Sequence, residues 1–148
     1  MSSFRSLELS DEMFENSGLR FLTVKTPNLK GRGDICLFVP NVIDNPTDLP
    51  IYILLHGVYG SAWVWAMKGG AHVTAKRLME SGKIRPAIIA MPSDGLWGDG
   101  SGYLTHQDRI LLSGLFRMCP KLYARIFPAP VKNPQSALVV FPWEVTEL

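Results

Sequence analysis

A chain of 148 residues is long enough to bury one hydrophobic core. With 47 % apolar and 19 % charged residues it has the composition of a globular domain, not of a disordered or low-complexity chain. A formal net charge of +2, with no lysine or arginine block, offers no electrostatic footprint for nucleic acid or an anionic membrane surface. No apolar run approaches the ~18 residues of a membrane span, so no membrane role is expected. The N-terminus, "MSSFRSLELSDEM", lacks the apolar stretch of a secretory leader. Two cysteines, Cys36 and Cys119, are too few and too scattered for a disulfide framework or a zinc site. The expected compartment is the cytoplasm, and no metal or cofactor is expected.

In chain order, residues 19–26, "LRFLTVKT", alternate apolar and polar side chains as a half-buried strand does. "PNLKGRGD" is turn material, and "ICLFVP" is a second strand, so the two are expected to pair antiparallel. "NVIDNPTD" is a loop, because Asn, Asp and Pro favour turn conformations. "LPIYILLHG" is a continuous apolar run ending in glycine, which suits a strand of a parallel sheet covered on both faces. From about Ala71 to Ser81 the spacing predicts a helix, with Val73, Leu78 and the stem of Lys76 turned inward and Gly82 just past its end. His72, on that helix, is expected at the surface or half-buried. "IRPAIIAMP" is a second fully buried strand. Strand, strand, then strand–helix–strand reads as α/β, an antiparallel start leading into a parallel sheet.

Sites in such sheets form beyond the carboxyl ends of the strands. Two loops lie there, "HGVYGSAWVW" and "SDGLWGDGSGYLTH", and they hold three of the four tryptophans. Trp63, Trp65 and Trp97 can line an aromatic pocket or simply pack the loops. Asp94 and Asp99 are expected to hold loop backbone. "GDGSG" lacks both the Walker lysine and the G-x-G-x-x-G spacing of a phosphate cradle. The His-Gly pair that ends "LLHGVYG" either closes a strand with a glycine turn or presents backbone N–H groups to a developing oxyanion.

"LPIYILLHGVYGS", "RPAIIAMPSDG" and "GDGSGY", at their spacing here, resemble the esterase branch of the α/β-hydrolases. That branch includes esterase D, S-formylglutathione hydrolase and feruloyl-esterase-like proteins. The resemblance runs from about Phe21 to His106. It implies a doubly wound sheet, a Ser–Asp–His triad, and hydrolysis of carboxylic or thiol esters of small molecules. On the matching residues, His56, Gly57, Val58, Tyr59 and Gly60 would form the oxyanion loop. Val58 or Tyr59 would donate the N–H, and His56 would organise the loop instead of acting as the base. Trp63, Trp65, Asp94 and Trp97 would line the substrate pocket.

The nucleophile of these enzymes sits in G-x-S-x-G, and no serine here has glycine two residues away on both sides. After Gln107 the resemblance stops. Back-translating Val139 to Leu148 and reading from the third base of each codon permits G-L-S-M-G-G-Y-G, with the glycine after methionine forced by the codons of Trp143 and Glu144. Leu112 to Phe127 in the same frame permits K-W-I-V-S-D-V-P and, further on, E-Y-F-P, with the valine forced by Met118 and Cys119. The reading is therefore an α/β-hydrolase sheet truncated before its nucleophile elbow. Residues 1–108 form its N-terminal part, and residues 109–148 are an out-of-frame tail that leaves a central strand edge unpaired. Three functions stay open: an inactive fragment, an esterase completed by a C-terminal fragment on a second polypeptide or by a frameshift product, and a non-catalytic module binding aromatic or carbohydrate ligands.

Overall fold

The computed structural model describes residues 6–11, 16–26, 31–41, 49–57, 59–94, 103 and 137–140. Strands β1 (Ser6–Leu9), β2 (Leu19–Thr26) and β3 (Gly31–Phe38) form an antiparallel meander. Strand β4 (Ile51–Leu54) follows, then helix α1 (Ala71–Glu80) and strand β5 (Ile88–Pro92). Strand β6 (Ala137–Val140) completes a six-stranded sheet of order β1-β2-β3-β5-β4-β6. β5 is antiparallel to β3 and parallel to β4, so the sheet changes from antiparallel to parallel at β5. The chain is thus α/β, with the antiparallel start and the crossover helix that the apolar pattern implies.

Alternation along the strands splits the core between the two faces. Leu22, Val24, Ile35, Leu37, Ile51, Ile53, Ile88 and Ala90 form one cluster. Cys36, Phe38, Ile89 and Met91 form the other with Ala62 and Ala66 and with Ala75 and Met79 of α1. All five residues of β5 are buried, as expected of a central strand. β4 is less covered, and Tyr52 remains 37 % exposed.

The helix has the expected bounds but not the expected inner face. His72, Ala75 and Met79 are buried, whereas Val73 is 56 % exposed. Gly70, left-handed at φ 61°, starts the helix and sets its rotation about its axis. It follows a π-helix, Val64–Lys68, in which Gly69 N–H reaches back to the Val64 carbonyl (3.0 Å). At the far end Gly82 is left-handed at φ 69°. Its N–H reaches Met79 O (3.0 Å) while Lys83 N–H reaches Leu78 O (2.9 Å), a Schellman closure that satisfies the last carbonyls.

The second difference concerns the outer side of β4. That edge was expected to be unpaired, but β6 lies along it in parallel, from Ile51↔Ala137 to Leu54↔Val140. "ALVV" is short and apolar and ends in two β-branched valines, which suits a parallel strand however it was encoded. The rest of the 109–148 segment lies outside the described residues. Among the described residues no helix is long and apolar enough to cross a membrane.

Candidate active-site loop

β4 has β5 on one side and β6 on the other, and all three run parallel. Their carboxyl ends therefore share one rim, and there a loop that leaves β4 can open to a ligand. His56 lies on this rim, two residues past β4, and is 5 % exposed. Its ring is held at both nitrogens. The Asp94 N–H points at Nε2 (3.3 Å), so Nε2 is the acceptor and Nδ1 carries the proton, which it donates to the Gly57 carbonyl (2.8 Å). The Asp94 carboxylate lies 3.8 Å from Nε2. Both ring nitrogens are thus engaged within the chain.

Gly57 O accepts a second hydrogen bond, from Gly60 N–H (3.0 Å), which closes a tight turn over residues 57–60. Tyr59 occupies its third position with φ 61°. A Cβ on Gly60 would stand 2.9 Å from both Gly57 O and the His56 Cβ, so glycine is sterically required there. Val58, one of the two expected N–H donors, lies outside the described residues.

Tyr103 joins the ends of the two buried strands. Its hydroxyl donates to the Pro92 carbonyl (3.0 Å) and accepts from His56 N–H (3.3 Å), and its ring lies 5.2 Å from the imidazole, tilted by 60°. Burial pushes the phenol above its ordinary range, and the nearby Asp94 charge adds to this. It therefore stays protonated and remains a donor. Tyr103 had no role in the sequence reading. The available signal was its place at the end of the glycine-rich "GDGSGY".

The expected pocket residues separate. Asp94 is buried against His56, at 4 % exposure, and its backbone N–H donates to the ring. Trp65 gives its indole N–H to the Leu55 carbonyl (2.8 Å) and packs on the α1-side core, fastening the π-helix to the end of β4. Trp63 is half exposed. Trp97 and Asp99 lie outside the described residues. Among the described residues no group of three or more His, Cys, Asp or Glu is placed to hold a metal.

Several solved structures are similar to this chain in fold. A ferulic acid esterase superimposes with a TM-score of 0.66 at 18 % identity, over 91 % of this chain and 50 % of its own. For an S-formylglutathione hydrolase from Agrobacterium tumefaciens the values are 0.57 and 15 %, over 95 % and 52 %. For the enterobactin esterase of Shigella flexneri they are 0.55 and 19 %, over 74 % and 27 %. No family model matches the chain, and no curated protein does. At these identities the likeness is one of fold: the chain has the fold of an N-terminal fragment of the α/β-hydrolase type. It spans about half the length of the first two structures and about a quarter of the third.

Proposed function

We propose that this chain carries the N-terminal part of a carboxylic-ester or thioester hydrolase acting on small molecules, and that His56–Gly60 is its oxyanion loop. The observation that supports this is the immobilised His56 ring. A donor to a developing oxyanion is useful only if it is aimed before the reaction begins. Tying the Gly57 carbonyl to Nδ1 and to Gly60 N–H restrains the turn that carries both candidate donors, the N–H groups of Val58 and Tyr59. His56 would thereby act as organiser and not as base.

The same proposal takes residues from about 109 onward as out-of-frame. The chain has no serine in G-x-S-x-G, and the shifted frame spells such an elbow starting at Val139–Val140. The serine triplet straddles Phe141 and Pro142. It lies within two residues of the β6 end, as His56 lies two residues past the end of β4. A nucleophile and its base supply most of the rate that an oxyanion loop cannot. The chain by itself is therefore expected to show no burst of p-nitrophenol from p-nitrophenyl acetate. A gene with the frame restored near the Gln107 codon, and continued downstream, is expected to show one that a serine-directed inhibitor abolishes. An inhibitor-sensitive burst from the unaltered chain would overturn the reading.

A further inference from the structure

We infer that Tyr59 is a specificity-determining residue, whose ring contacts the apolar substituent of an ester held at the His56–Gly60 loop and favours a flat, aromatic one. The inference rests on that loop being the ester-binding loop. Two residues other than glycine, among those described, have positive φ: Tyr59 at 61° and Tyr103 at 58°. The left-handed conformation is unfavourable for a side chain of this size, because it forces Cβ toward the following carbonyl oxygen. Tyr103 recovers that cost inside the fold. It is 4 % exposed, its hydroxyl joins His56 to Pro92, and its ring meets the imidazole.

Tyr59 recovers nothing comparable, since its side chain is 84 % exposed. Its place in the turn is one that glycine or asparagine fills without strain. Glycines stand at 57 and 60, yet a large aromatic stands between them. A strained backbone that holds an aromatic ring in solvent points to a contact made outside the chain. Trp63, four residues on and half exposed, adds a second flat apolar surface to the same loop. The ring and one of the two candidate N–H donors belong to the same residue. An ester carbonyl seated on that donor keeps its substituents within reach of the ring, and flat rings stack on tyrosine better than puckered ones do.

The test uses the chain as it stands, which is expected not to turn esters over. Phenyl acetate and cyclohexyl acetate are titrated while the backbone amides of residues 57–60 are followed by NMR. Phenyl acetate should shift those amides and bind at least about three-fold more tightly than cyclohexyl acetate, in line with an aromatic pair contact. Tyr59→Phe should keep the preference and Tyr59→Ala should lose it. Tyr59→Gly should lose it too, while raising the thermal midpoint as the strain is relieved. If Tyr59→Ala binds phenyl acetate as well as the unsubstituted chain does, with the loop amides still shifting, the inference fails and the loop assignment stands. If phenyl acetate leaves those amides unmoved in the unsubstituted chain, the loop assignment itself fails. A lower thermal midpoint for Tyr59→Gly would show that the ring packs within the fold, which also overturns the inference.

Discussion

Gly60 shows how little room the His56 loop leaves. A methyl group there would meet the Gly57 carbonyl oxygen and the His56 Cβ at 2.9 Å, and neither can retreat without breaking a ring hydrogen bond. Gly60→Ala should therefore destabilise the chain by about 1–3 kcal/mol, as overpacking does, and urea unfolding measures it. Cys36 makes a second case at this scale. It is 2 % exposed, and burial, aided by the Asp34 carboxylate, pushes its thiol up to about 11. The folded chain keeps this proton above the ordinary value near 9.0, at which the unfolded thiol loses it. Its contribution to stability is thus complete below pH ~9 and is lost as pH rises to ~11. Urea midpoints at about pH 8 and about pH 10.5 should differ more for the parent chain than for Cys36→Ala. A thiol reagent at about pH 8 should find Cys36 unreactive until the chain unfolds.

At the scale of elements, α1 offers a comparison between two apolar residues. Met79 packs with Ala62, Ala66 and Ala75, whereas Val73 is mostly in solvent. Met79→Ala should cost roughly 2–4 kcal/mol, the usual loss for a buried methionine. Val73→Ala should stay within about 0.5 kcal/mol, since exposure leaves little to lose and alanine is the better helix former. Equal effects would mean that the helix is rotated from the orientation described. Strand β6 is the other test. It pairs through four residues with β4. If residues from about 109 onward are out-of-frame, nothing selected them to pack on this sheet. The amides of Leu138–Val140 should then exchange much faster than those of Ile53 and Ala90 in the central strands. Equal protection would make the tail a native element and end the frameshift proposal.

The whole molecule places its candidate chemistry by topology. β4 lies between β5 and β6, and the carboxyl ends of these parallel strands share a rim. His56 follows from β4 and Asp94 from β5, 38 residues apart in sequence, and they meet there. Tyr103 pins both strand ends at once. Under the proposed reading this assembly would orient an amide toward an ester, and the sequence supplies no serine in an elbow motif to attack it. The fold likenesses cover about half of the first two solved structures.

What the sequence determined by itself was local. The alternation of "LRFLTVKT", the continuous "AIIAM" and the glycine after "AHVTAKRLMES" identified strands and helix, because burial on one face or on two leaves a period in the chain. The inner face of α1 was not legible, since Gly70 and the π-helix before it set the rotation of the helix. Nor was the role of Tyr103, or the engagement of both His56 nitrogens. The contacts of Tyr103 and of His56 Nε2 join residues 11 to 47 positions apart, and no period links such positions. Only the closing of the sheet, with β4 set between β5 and β6, brings them within hydrogen-bonding distance.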